Sequence, residues 1–213
     1  MKIPWTVYAG GLAQALPIVA GAARRGGLSR PQYWTVVWAG LLFGFDAITL
    51  WMALSGRNNH LLNYALTPLV TGFALGILSL WQQSARSATV IRFLIPVLGI
   101  VWVAMVVAIE STRTFSLLAE PFAGLLLLGA AIWTLLTRVV REEGRLGRQE
   151  WAWIAGGMAL YAATSVALPP VSYLLVDLNP GLVIRAYEGK SLIDVVAFAL
   201  IARGVLIRPA PSN

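Results

Sequence analysis

Val90-Ile-Arg-Phe-Leu-Ile-Pro-Val-Leu-Gly-Ile-Val-Trp-Val-Ala-Met-Val-Val-Ala-Ile109 is a run of twenty residues whose only charge, Arg92, stands near its start. A helix rises 1.5 Å per residue, so about 20 apolar residues cover the ~30 Å hydrocarbon core of a bilayer. Six more stretches of this kind surround it, at residues 4–23, 33–54, 61–81, 117–137, 151–171 and 191–207. The chain of 213 residues is 58% hydrophobic and 12% charged, with a mean hydropathy of +0.75, which excludes the balance of an ordinary soluble domain. The fold class read from this pattern is all-α, one polytopic bundle of seven transmembrane helices over residues 1–213. The first stretch is preceded only by Lys2 and lacks a small-x-small cleavage site before a soluble chain, so it reads as a retained helix rather than a signal peptide.

The net charge of +7 belongs to the loops. Arg24, Arg25, Arg30, Arg86, Arg92, Arg138, Arg141, Arg145, Arg148, Arg203 and Arg208 lie on one side of the seven spans. Lys2, Arg57, Arg113, Arg185 and Lys190 lie on the other. Positive loops stay in the cytoplasm, which puts the N-terminus outside and the C-terminus inside a bacterial-type inner membrane. Arginines beside anionic headgroups account for the basic balance, and nucleic acid is not expected as a partner. Trp5, Trp34, Trp51, Trp81, Trp151 and Trp153 fall near span ends, where amphipathic rings favour the headgroup layer. Trp38, Trp102 and Trp133 fall deeper and read as packing residues.

Two loops share a pattern. Gly26-Gly27-Leu28-Ser29-Arg30-Pro31-Gln32-Tyr33 and Gly144-Arg145-Leu146-Gly147-Arg148-Gln149-Glu150-Trp151 both read Gly-x-Leu-small-Arg-x-(Gln/Glu)-aromatic. Each joins the first two helices of a set of three, which points to a 3+1+3 parallel repeat with the fourth helix as linker. Coincidence between two basic turns is the alternative. Gly40 and Gly44, and Gly72 and Gly76, stand four apart, a spacing that lets helix backbones approach in lipid, with Gly11/Ala15 and Ala152/Gly156 as weaker cases. Such faces serve packing within the chain, a homo-oligomer or a membrane complex. Pro17, Pro68 and Pro96 should bend their helices, and Pro169-Pro170 should end the sixth helix early, leaving 171–178 as an apolar strip at the interface.

Ionisable groups inside a span are site candidates by default. Asp46 lies among Phe43, Phe45, Ile48 and Leu50. It reads either as a proton- or cation-linked carboxylate or as a neutral acid bonded to a neighbouring helix. His60, Asn63, Tyr64, Thr67 and Thr71 recur at helical spacing and form one polar face, crowned by Asn58 and Asn59. That ridge reads either as the lining of a wet pocket or as interhelical hydrogen bonding worth about 1 kcal/mol per pair. Asp194 stands one turn beyond Lys190, with which it pairs at i, i+4. Glu110, Glu120, Asp177 and Glu188 gather at the outer ends as a vestibule that attracts cations, or as solvated charge. Tyr161, Thr164, Ser165 and Gln14 supply further polar groups within spans.

Several chemistries are excluded or not assigned. The chain has no cysteine and one histidine, so the usual zinc set is out of reach, and no metal, cofactor or catalytic residue is assigned. His60 serves as an interfacial, pH-sensitive or pigment-ligating residue. Val195-Val196-Ala197-Phe198-Ala199-Leu200 in the last span offers no lysine for a retinal Schiff base, and no nucleophile elbow, His-Glu-x-x-His or phosphate loop occurs.

Leu16-Pro17, Arg24-Arg25 and Leu28-Ser29-Arg30-Pro31, with Asn58-Asn59, Leu61-Leu62, Tyr64 and Thr67, resemble a group of small bacterial seven-helix membrane proteins with no assigned activity. The likeness covers about the first 80 residues and implies the topology alone. The group tends to carry an acid late in its third helix, where this chain has Thr71. Pro17 with the basic Leu28-Ser29 turn is similar to sugar transporters of three-plus-one-plus-three layout, although Ile18 replaces their glutamine. Asp46-Ala47-Ile48-Thr49-Leu50 resembles a segment of the membrane lysoplasmalogenases, whose following histidine would come later than His60. The function expected is a small-solute transporter or ligand-binding sensor whose partners are the lipid bilayer and a small polar solute, proton or cation. Its site residues are Asp46, His60, Asn63, Tyr64, Thr67 and Asp194. A membrane-embedded lipid hydrolase using Asp46 and Asp194, and a structural subunit of a membrane complex, are the alternatives.

Overall fold

The computed structural model describes residues 4–24, 26–112, 116–140, 146–176 and 179–208. Lys2, Arg25, Arg113, Arg141, Gly144, Arg145, Asp177 and Leu178, used above for orientation, repeat, vestibule and interfacial strip, lie outside the described residues. Every regular element among the described residues is helical: α1 (Trp5–Ala13), α2 (Leu16–Ala23), α3 (Arg30–Leu54), α4 (His60–Leu80), α5 (Ala85–Ala108), α6 (Ala119–Val139), a 3-10 turn (Leu146–Arg148), α7 (Glu150–Val176) and α8 (Pro180–Leu206).

Counting α1 and α2 as one, six of these helices are long and apolar enough to cross a membrane, which is compatible with a multi-pass membrane protein. The expected span at 191–207 is the second half of α8. That helix is long enough, but Arg185, Glu188, Lys190, Asp194 and Arg203 keep it outside the set of six. The bundle carries apolar side chains outward as well as inward: Ile100, Val103 and Val107 on α5, and Leu61 and Leu69 on α4, are exposed. Such a surface suits contact with acyl chains and would be a liability in water.

Local chemistry sets the helix ends. Ser29 opens α3 with a capping box: its Oγ accepts from the Gln32 amide, and the Gln32 side chain accepts from the Ser29 amide at 2.9 Å. Ser84 caps α5, so that helix begins before residue 90. α6 starts at Ala119 because Glu110 accepts from the amides of Leu118 and Ala119. The expectation that Pro169-Pro170 end the sixth helix is corrected, since α7 runs through both to Val176. Proline's fixed φ is itself helical, and the helix continues with two hydrogen bonds missing. Pro17 does more than bend, separating α1 from α2.

The glycine faces also differ from expectation. A methyl on Gly44 or Gly76 would meet nothing within 4 Å, and the same holds for Gly11 and Gly156. Their neighbours make the close contacts. A methyl on Gly157 would lie 2.6 Å from the Ala197 carbonyl oxygen, and one on Gly204 would lie 2.9 Å from that of Glu150, so α7 and α8 touch backbone to backbone. Gly10 meets Ser191, and Gly124 meets Val166. Trp81 and Trp151, expected at the headgroup layer, are only 3% and 1% exposed, whereas Trp133, expected inside, is half exposed.

At the end of the bundle bearing Ser29, the helix termini are tied crosswise. Gln32 donates to the carbonyls of Gly204 (3.0 Å) and Ile207 (2.8 Å), and Arg24 donates to Val205 (2.9 Å), so residues around α2 and α3 close the end of α8. Arg138 of α6 donates to the Trp81 carbonyl (2.8 Å), and Glu150 of α7 accepts from the Trp81 indole, so α6 and α7 close the end of α4. The last carbonyls of a helix have no partner of their own, and these side chains supply it.

Candidate functional site

The site begins at the break in the first span. Pro17 has no N–H to offer the carbonyl of Ala13, and the amides of Gln14 and Ala15 turn back to Gly11 (3.2 Å) and Leu12 (3.0 Å). The tightened turn leaves the Gln14 side chain pointing inward, 4% exposed. Its Nε2 donates to the Asp46 carboxylate on α3, and its Oε1 is buried with no hydrogen-bond partner among the described residues.

Asp46 borders a partly open cavity of about 210 Å³ lined by α3, α4, α6, α7 and α8. Asn63, Thr67 and Thr71 of α4 line it, as do Thr49, Ser165 and Tyr161. Glu120, in the first turn of α6, and Lys190, on α8, complete its charged wall. The apolar floor includes Trp38, whose ring stacks on Phe198 with centroids 6.1 Å apart. The polar ridge of α4 therefore faces the bundle interior, while Leu61 and Leu69 on the opposite face point out. At about 30 Å³ per water, the space has room for roughly seven waters, and its hydroxyls, amides and acids offer them hydrogen-bond partners.

His60 and Tyr64 do not reach this cavity. They line a smaller adjoining space of about 20 Å³, bordered also by Asn63, Thr67 and Glu120, so the α4 ridge runs continuously from the helix start into the bundle. The Tyr64 ring packs edge-on to Trp102 at 6.2 Å. The Asn58 side chain accepts from the His60 amide, and Asn59 donates to the Thr49 carbonyl, which ties the start of α4 to α3.

Asp194 lies on the other side of Asp46. It pairs with Lys190 as its spacing implies and accepts from Thr164 at 3.4 Å. The Lys190 ammonium also lies 5.3 Å from the centroid of the Tyr161 ring. Asp46 and Asp194 thus engage different partners, Gln14 for one and Lys190 with Thr164 for the other. Among the wall residues outside the six expected site residues are Gln14, Glu120, Tyr161 and Lys190. Glu120 was legible in principle. Ala123, Gly124 and Leu127 follow it at i+3, i+4 and i+7, so the small-residue face of α6 and the acid point the same way.

The wall brings two carboxylates, Asp46 and Glu120, against one ammonium, itself shared with Asp194. Such an arrangement attracts and orients a cation and offers donors and acceptors for a hydroxylated body. Among the described residues no group of three metal-ligating side chains comes together. No family model matches the chain, and neither a curated protein nor a solved structure is significantly similar to it.

Proposed function

We propose that the chain is a small-solute transporter of a bacterial inner membrane, seven spans with the N-terminus outside and the C-terminus inside, that binds a small cationic solute or cation in its outer half. Asp46 and Glu120 bind the charge, and Asn63, Thr67 and Thr71 orient the rest of the solute. The observation that carries this reading is the polar-lined cavity within the bundle, with more acids than bases in its wall. A structural subunit has no need of such a space.

The crosswise ties support a 3+1+3 repeat. Arg24 at the end of span one reaches span seven, and Arg138 at the end of span five reaches span three. Gln32 and Glu150, at matching places in the two similar loops, do likewise. Exchanging spans one to three with five to seven maps one set of contacts onto the other, as parallel repeats about an axis along the membrane normal require. In this arrangement α8 is the seventh span: Arg185 and Arg203 lie toward its ends, and Lys190 and Asp194 neutralise each other inside.

The test uses the purified full chain in lipid nanodiscs with n-butylammonium and sodium as probes. Millimolar n-butylammonium should raise the unfolding temperature of the parent protein and not that of Asp46→Asn or Glu120→Gln, while both variants keep the parent's circular dichroism. In proteoliposomes, Asp46→Asn should abolish pH-dependent uptake of the same amine. Equal shifts in parent and variants would remove both acids from the site.

A further inference from the structure

A second and larger space, about 550 Å³, lies between α1, α3 and α8. It follows the break at Gln14: both α1 and α2 pack on α8, where Gly10 meets Ser191, but α2 also packs on α3, where Gly21 faces Val36, whereas α1 hardly touches α3. The outer half of the first span is thereby drawn away from α3, and a lateral crevice opens. Most of its surface is apolar, with Val7 and Leu12 on α1 facing Phe43 and Leu50 on α3. Leu12 and Ala47 are exposed on the outside of the bundle, so the crevice opens sideways, where acyl chains would lie.

The inner end of this crevice is polar. Gln14, Asp46, Lys190 and Asp194 stand there, and the first three also border the smaller polar cavity. The Gln14–Asp46 hydrogen bond and the Lys190 side chain therefore form the partition between an apolar slot and a polar chamber. Three acceptors face this point: the two carboxylates and the buried, unpartnered Oε1 of Gln14. Among the described residues one cation, Lys190, stands beside them, and the Gln14 Nε2 and the Thr164 hydroxyl are neutral donors. The unmet need is for N–H donors on a positive group, with an apolar body behind it.

We propose, resting on the reading of the cavity as a cation site, that the substrate is a single-chain amphiphile with a primary ammonium head, entering sideways from the bilayer. Its alkyl chain lies in the slot between α1 and α3. Its ammonium donates to Asp46 and to Oε1 of Gln14 and displaces the Gln14–Asp46 bond. A carboxylate head would set a third negative charge beside Asp46 and Asp194 against the single Lys190 ammonium, and a neutral hydroxyl head would leave the excess negative charge unmatched.

The full chain in nanodiscs should be photolabelled by a dodecylamine bearing a diazirine in its alkyl chain, with crosslinks mapping to peptides of α1 and α3. Unlabelled dodecylamine should compete at least tenfold better than dodecanol or dodecanoate. Gly11→Phe fills the slot, and since a β-carbon there meets nothing within 4 Å the ring can enter the crevice without displacing the backbone, which an unchanged circular dichroism spectrum checks. It should weaken competition by dodecylamine tenfold or more while leaving the thermal shift by n-butylammonium unchanged. Equal competition by dodecanol overturns the ammonium assignment. Undiminished dodecylamine competition in Gly11→Phe, with the n-butylammonium shift still present, overturns the lateral slot and leaves the cation site standing. Loss of every amine effect in the parent protein overturns both.

Discussion

The indole of Trp102 on α5 donates to the carbonyl of Tyr64 on α4 at 3.0 Å. That carbonyl is the one Pro68, four residues on, leaves without its helical donor. In the apolar interior an unmade hydrogen bond to a buried carbonyl costs about 1–3 kcal/mol. A tryptophan on one helix thus compensates a proline on another, and α4 stays continuous alongside the polar ridge it carries.

Trp102→Phe should therefore destabilise the protein by about 1–2 kcal/mol in reversible unfolding from mixed micelles. The same change in a Pro68→Ala background should cost less, because an alanine in place of the proline supplies the missing amide. Equal costs in both backgrounds would show that the indole contributes by packing alone. The cycle isolates the coupling between the two positions.

Gln32 is fully buried and holds the last turn of α8 through at least two bonds. Gln32→Leu keeps the volume and removes the donors. At about 1 kcal/mol per bond the expected loss is about 2–3 kcal/mol, read as a lower unfolding midpoint. Hydrogen exchange should accelerate first in residues 203–207, since the carbonyls of Gly204 and Ile207 lose their lateral donor and only the Arg24 tie to Val205 remains. A uniform acceleration through the chain would argue against a local tie.

The glycines separate cleanly. Gly157→Ala places a methyl 2.6 Å from the Ala197 carbonyl and should cost about 1–3 kcal/mol as the α7–α8 contact opens. Gly156→Ala meets open space and should be neutral, or stabilising by up to about 1 kcal/mol through helix propensity. Opposite signs at adjacent positions are the result to look for in the same unfolding assay.

These positions also show where the sequence was legible. Apolar length located the long helices, because bilayer thickness sets a minimum run and the loops between are short. Period put Asn63, Thr67 and Thr71 on one face, and the cost of polar groups in hydrocarbon turned that face inward. Spacing could not tell Gly156 from Gly157, since each starts an equally good small-residue face and only the crossing of α7 over α8 chooses between them. Trp81 and Trp151 read as headgroup aromatics because their place near helix ends was visible, whereas the arginine and glutamate ties that bury them join segments far apart in the chain. Gln14 stood out as a lone amide in a span, but its contact with Asp46 depends on the turn that Pro17 enforces.

Lys190 offers the sharpest test of the electrostatics. Its ammonium stands between acids and is the one positive charge in the cavity wall among the described residues. It supports Asp194 and competes with any cation bound from outside. Lys190→Met keeps the aliphatic stem and removes the charge, which leaves Asp194 partly buried with Thr164 as its remaining partner. The fold should lose about 1–3 kcal/mol, less than a fully buried pair would, since both side chains keep some exposure. Added n-butylammonium should then recover more stability in Lys190→Met than it adds to the parent protein, because an internal competitor has gone. Asp194→Asn on top of Lys190→Met should restore stability without any amine, since the orphaned charge is removed. If Lys190→Met unfolds at the parent's temperature and responds equally to the amine, the ammonium lies outside the electrostatics of the site, and Asp46 and Glu120 act without it.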